Sequence, residues 1–223
     1  MSDRPIITAF DWVPDFAKGL VRDLRIRWAC EEIGRPYDTR LLSAITPRPD
    51  DYLAWQPFDQ VPAFADDGLK FFETGAILLY LGEQDERLLP AEAQARWNAI
   101  AWLFAALNSV EPAIGRLAIY DVFLGDQAWT KEARPSAAAM VERKLKRVSD
   151  ALGQKDWLAG DFSIADIAMT TVLNNLRHTD MVAQVPTLAA YVERGHSRPA
   201  HKRALEAQLA DFSAAPPREM EGA

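Results

Sequence analysis

From Ala91 onward the chain offers no convincing strand, whereas the residues before it alternate between strand-like and helix-like stretches. This change of hydrophobic period predicts a small α/β domain followed by an all-helical one. A length of 223 residues accommodates both.

Within the first part, Ile6, Ile7 and Phe10 mark an opening strand in IITAFDWV. Leu20, Val21, Leu24, Trp28 and Ala29 then recur at helical spacing. The spacing predicts a helix from Lys18 or Gly19 that Gly34 and Pro36 end. Arg22, Arg25 and Arg27 fall largely off its apolar stripe. YDTRLL reads as a second strand, and a strand–helix–strand order implies a parallel pair with a right-handed crossover. A loop follows, with a helical turn expected at Asp50–Trp55. Pro62–Ala65 and Leu69–Phe72 flank Asp66-Asp67-Gly68, a strong hairpin signal. Thr74 then opens an apolar helix, GAILLYLGE.

Residues 83–90 read as a linker between a domain at 1–82 and a helical domain at 91–212. Helical periodicity covers Arg96–Tyr120, Glu132–Leu152, Ile164–Arg177, Thr187–Gly195 and Ala200–Leu209, with breaks at Pro112, Pro135, Gly153, Gly160, Pro186 and Pro199. The tail 213–223, rich in Ala, Pro and Glu, is expected to be disordered.

Composition narrows the function. Hydrophobic residues at 49% and charged residues at 26% fit a soluble globular protein. A net charge of −7 argues against a nucleic-acid partner, and no apolar run is long enough for a membrane span. The N-terminus lacks a signal-peptide layout, so a cytoplasmic protein is expected. One cysteine, Cys30, excludes an internal disulfide, and His178, His196 and His201 lack metal-binding spacing, so no metal is expected.

Three stretches stand out. In QPFDQVPAF, Gln56 to Phe64, Pro62 precedes a strand and stands either in an ordinary trans loop or at a cis bend. A cis bend would turn the Val61 N–H and C=O toward an extended, peptide-like ligand. In FFETGAILLYL, Thr74 is a natural N-cap, and the first helical turn offers N–H groups to a carboxylate. Glu73 beside it would accept an ammonium, so the pair is either an amino-acid grip or a plain N-cap with a solvated acid. In DFSIADIAMTTVL, Ser163 and Asp166 have capping-box spacing, and Phe162 and Ile167 stand where a hydrophobic staple would. That stretch is structural.

The order and spacing of these stretches, with the turn at Ala9–Gly34 and LAAYVERGHSRPAHKRAL, resemble the cytosolic glutathione transferases from about Ile6 to Ala210. The resemblance implies a thioredoxin-like N-terminal domain, an all-helical C-terminal domain and a homodimer. It implies that Val61 pairs through its backbone with the cysteinyl part of glutathione beside a cis Pro62 and next to Gln60. It implies that Glu73 and Thr74 hold the γ-glutamyl end. Glutathione would be the co-substrate, and a small hydrophobic electrophile the other partner, as in detoxification.

The turn after the first strand departs from the family. A Ser, Tyr or Cys usually stands there; here nothing with a hydroxyl or thiol lies between Thr8 and Cys30. Lowering a thiol pKa from about 8.5 to about 6.5 takes roughly 2.7 kcal/mol. One hydrogen bond to a charged group supplies about 1.5–3 kcal/mol, and a helix N-terminus about 0.3–1. A backbone N–H or a cation therefore suffices, and Lys18 and Arg22 are the candidate cations. Arg22 has a competing use against Asp23, and Lys18 one in solvent. Cys30, well inside the helix near Ile26 and Ile33, reads as packing rather than as a nucleophile. A pocket for the second substrate would draw on Trp12, Val13 and Phe16 from the turn and on Asn108, Glu111 and Arg116 from the helical part. The expected activity is conjugation of glutathione to the electrophile, or its use to reduce a peroxide. The competing expectations are a non-catalytic binding protein and a dimerisation module of the same fold.

Overall fold

The computed structural model describes residues 4–212; the expected tail lies outside them. They form two compact units. One runs to Asp85 and takes up the chain again at Pro199; the other is Glu86–Arg198.

The first unit is a thioredoxin-like sheet with helices. Its strands are β1 (Ile6–Phe10), β2 (Asp38–Leu42), β3 (Ala63–Asp66) and β4 (Leu69–Phe72), in the order β2-β1-β3-β4. β1 pairs parallel with β2 and antiparallel with β3, and β3 and β4 form the hairpin. Asp67 and Gly68 close it with φ of 45° and 79°, the two positive values a tight turn of that hand requires. The helices are α1 (Asp23–Ile33), α2 (Asp50–Leu53) and α3 (Thr74–Gly82).

The first helix starts later than its periodicity suggests. Asp15–Ala17 form one tight 3₁₀ turn, Gly19 takes φ 76°, and regular α-helix begins at Asp23. Arg25 and Arg27, which fall off the apolar stripe, are nevertheless buried. The reason is that α1 is covered on two sides, by α3 and by the last helix, α9 (Pro199–Asp211). α9 belongs to this unit: Ala200, His201, Ala204 and Gln208 are its buried face, and the His201 ring meets the Trp28 indole edge-on at 4.7 Å. Periodicity alone grouped α9 with the helices before it; its packing partner is α1.

The second unit is helical: α4 (Ala93–Phe104), α5 (Glu111–Ala118), α6 (Ala128–Leu152), α7 (Ile164–Asn174) and α8 (Pro186–Ser197). Wider π-helical turns at Ala105–Val110 and Ile119–Phe123 flank α5. Neither Pro112 nor Pro135 breaks a helix as expected. Pro112 falls in the first turn of α5, where a missing N–H costs nothing, and Pro135 lies inside α6. The capping box at the start of α7 is formed: Ser163 Oγ accepts the Ala165 N–H at 3.3 Å and the Asp166 carboxylate accepts the Ser163 N–H at 3.0 Å. Tyr191 donates to the other Asp166 oxygen at 2.7 Å. No helix among the described residues is long and apolar enough to cross a membrane.

Candidate active site

Strand register gathers the candidate ligand-binding segments. Ala63 pairs with Phe72, so the residues just before β3, Val61 and Pro62, lie beside those just after β4, Glu73 and Thr74. β1 runs antiparallel to β3, which brings its C-terminal end, and the turn from Asp11 onward, to that same end of the sheet. In open sheets with parallel strands, ligands settle at the carboxyl ends of those strands.

The Val61–Pro62 peptide is cis. A chain of hydrogen bonds clamps the backbone on both sides of it. Tyr52 Oη donates to the Gln60 carbonyl at 2.5 Å. Thr8 Oγ1 lies 3.0 Å from Tyr52 Oη and accepts the Ala63 N–H at 2.6 Å. Thr8 and Tyr52 were not singled out in the sequence. The signal available was a threonine in an otherwise apolar strand, fully buried in the fold.

Glu73 sits at φ 77°, ψ 119° and is the N-cap of α3; Thr74, expected there, is the buried first helical residue. No side-chain bond caps the helix, so the Glu73 side chain, which is exposed, does not close the N-terminus. A left-handed φ on a residue other than Gly costs about 1–3 kcal/mol and recurs at ligand clamps.

In the turn, Lys18 Nζ is 2.7 Å from the Asp15 carboxylate, which its hydrogen bond and charge hold below the usual carboxylate range. Arg22 is exposed at the N-cap of α1. Val13 is buried, Trp12 half-buried and Phe16 exposed. Burial pushes the Cys30 thiol up to about 12, so it is a packed residue and no nucleophile. Arg48 was also missed. Its side chain donates to the Ser43 and Thr46 carbonyls, lies over the Phe10 ring at 5.0 Å, and pairs with Asp59 at 3.2 Å without hydrogen-bond alignment.

In the helical unit, Asn108 is exposed on the first π-helical turn and Glu111 is the half-buried first residue of α5. Arg116 follows Glu111 by five residues, so helical geometry carries it about 140° round the axis. The two do not share a face. Among the described residues no group of three or more His, Cys, Asp or Glu side chains is arranged to hold a metal ion.

Comparison with known proteins agrees with this fold. Residues 16–83 match the model of the glutathione S-transferase N-terminal domain, and residues 110–199 that of the C-terminal domain. The chain is 32% identical over 165 residues to the glutathione S-transferase GstA of Escherichia coli O157:H7, covering 71% of this chain and 79% of that protein. It is 32% identical over 175 residues to the disulfide-bond oxidoreductase YfcG of Escherichia coli K12, covering 72% and 79%. Among solved structures, a glutathione transferase family member from Pseudomonas fluorescens with two glutathione molecules bound superposes with a TM-score of 0.81 at 25% identity, covering 92% of this chain and 93% of that one. A glutathione transferase from Burkholderia graminis, with two glutathione molecules bound per protein subunit, gives 0.79 at 27% identity, covering 92% and 88%.

Proposed function

The chain belongs to the glutathione S-transferase family, and on that basis we propose that it binds glutathione at the end of the sheet where β1 stops and uses the glutathione sulfur as a nucleophile. The observation that carries this reading is the register that sets Val61–Pro62 beside Glu73–Thr74. The Val61 backbone pairs with the cysteinyl part, next to Gln60 and Pro62. The Glu73 carboxylate takes the γ-glutamyl ammonium, and the first turn of α3 with Thr74 takes its carboxylate.

The sulfur falls at the turn Lys18–Asp23, where Lys18, Arg22 or backbone N–H groups hold it as thiolate. Lys18 must leave Asp15 to do so; a pair this exposed is weak and opens readily. The thiolate forms a carbon–sulfur bond with a small hydrophobic electrophile, displacing a leaving group or adding across an activated double bond. With a peroxide, two glutathione thiols instead become one disulfide while the peroxide becomes an alcohol and water. Trp12, Val13 and Phe16 of the sheet-containing unit are the candidate lining for the electrophile.

The similarity to YfcG favours a second reading, thiol–disulfide exchange. Cys30 is buried, so the attacking thiolate there is glutathione's own: it forms a bond to one sulfur of the disulfide and expels the other as thiolate. A homodimer accompanies either reading, supported by the exposed stripe of Trp97, Ala101 and Phe104 on α4.

Spectrophotometric titration of bound glutathione thiolate tests the proposal. A thiol pKa well below its free value is expected, rising in Lys18→Ala or Arg22→Ala if that cation holds the sulfur. An unchanged pKa in both variants assigns the role to backbone donors. A parent pKa equal to the free value overturns the enzymatic reading and leaves a binding protein. Products formed from an electrophile, a peroxide and a mixed disulfide separate the chemistries.

A further inference from the structure

The last helix reaches back to the turn that receives the sulfur in the proposed site. Gln208 on α9 is fully buried. Its amide nitrogen donates to the Val21 carbonyl at 3.1 Å and to the Asp23 carboxylate at 2.8 Å. Val21 and Asp23 are the neighbours of Arg22 on either side, so one side chain grips the backbone before it and the first helical residue after it. Both acceptors demand N–H, which fixes the orientation of the amide; its oxygen has no hydrogen-bond partner among the described residues.

The grip is braced. Arg27 Nε binds the second oxygen of Asp23 at 2.7 Å, and Arg27 Nη2 binds Asp211 at 2.6 Å, three residues beyond Gln208 on α9. The Val21 carbonyl already accepts the Leu24 N–H at 3.1 Å, so the Gln208 bond is a second donor on that oxygen rather than its sole partner. The sign of its electrical effect follows. A carbonyl oxygen and a carboxylate beside a thiolate both disfavour the thiolate, and N–H donors placed on them weaken that opposition.

We propose that Gln208 is a positioning residue for glutathione thiolate: it holds Val21 and Asp23 in the geometry that lets the turn Lys18–Asp23 stabilise the sulfur. This rests on the glutathione site proposed above. It makes the end of α9 part of the catalytic apparatus although Gln208 touches no substrate.

The test compares Gln208→Met with the parent by thiolate titration of bound glutathione and by binding of S-methylglutathione, which has no thiol to ionise. Methionine keeps the volume and removes both N–H donors. Expected is about three- to tenfold less thiolate at a pH below both pKa values, the size of a lost hydrogen bond, with S-methylglutathione affinity unchanged. Should Gln208→Met fail to fold, Gln208→Asn, which keeps the amide on an arm one methylene shorter, is judged by the same criteria. An unmoved thiol pKa, or S-methylglutathione affinity falling in parallel, makes Gln208 a structural bolt and overturns the proposal alone. If the parent binds neither ligand, the glutathione reading falls and takes this proposal with it.

Discussion

The Tyr52 hydroxyl donates to the Gln60 carbonyl at 2.5 Å, and that bond ties the short helix α2 to the residue ahead of Val61. Thr8 completes the clamp from β1 by holding Ala63. Tyr52→Phe removes the donor and keeps the ring. It is expected to cost about 1 kcal/mol of stability and to weaken glutathione binding several-fold. Urea unfolding and glutathione titration measure the two effects. Thr8→Ala belongs to the same network, so the double variant should lose less than the sum of the singles.

Glu73 separates stability from binding. Glycine accepts φ 77° without the penalty a side chain incurs there. Glu73→Gly is therefore expected to melt no lower than the parent while its glutathione affinity falls at least about tenfold, the cost of a charged hydrogen bond. A thermal melt alongside a binding titration checks both. Retained affinity would remove the carboxylate from the proposed grip.

Gly195 marks a close helix crossing in the helical unit. A Cβ there would stand 2.9 Å from Cγ2 of Thr170, whose hydroxyl is held by the Asp166 carbonyl at 2.6 Å. Gly195→Ala is expected to destabilise by about 1–3 kcal/mol. Adding Thr170→Ser removes Cγ2 and should recover most of the loss in the same denaturation assay.

Cys30 should be silent toward alkylating reagents at neutral pH in the folded protein. Burial pushes its thiol up to about 12, so almost none of it is thiolate. Mass spectrometry after timed iodoacetamide treatment is expected to show modification only once denaturant unfolds the chain.

Acid should loosen the helical unit through Asp121. Burial alone would raise this carboxyl. Hydrogen bonds and charge from Arg134, at 2.6 and 3.0 Å, and from His178, at 3.2 Å, outweigh burial and hold it below the usual range. Because the folded pKa lies below the unfolded one, this contribution is complete above about pH 4. It is lost as pH falls through the folded value. Arg134→Met removes the main partner, so its stability deficit should be present at neutral pH and shrink on acidification, as melts across that range would record.

Much of this was legible in the sequence because it depends on neighbours along the chain. The hairpin at Asp67-Gly68, the capping box at Ser163 and Asp166, and the strand–helix–strand opening are local patterns of charge, size and backbone freedom. They sufficed to predict a small α/β domain followed by helices, and the order and spacing of QPFDQVPAF and FFETG carried the resemblance to the family, which in turn implied the thioredoxin-like fold. What the tertiary structure alone decided depends on residues distant in sequence. Arg25 and Arg27 are buried because α9 closes over α1, a partner more than a hundred and fifty residues away that helical periodicity cannot assign. Regular α-helix begins at Asp23 and not at Gly19, and at Asp23 Gln208 meets both the carboxylate and the Val21 carbonyl beside it. Glu73 holds a left-handed backbone where its neighbour Thr74 was the better local cap. Short-range pattern determined which elements form; long-range packing of buried polar groups, most of which must find a partner, determined where they begin and which charged side chains are buried.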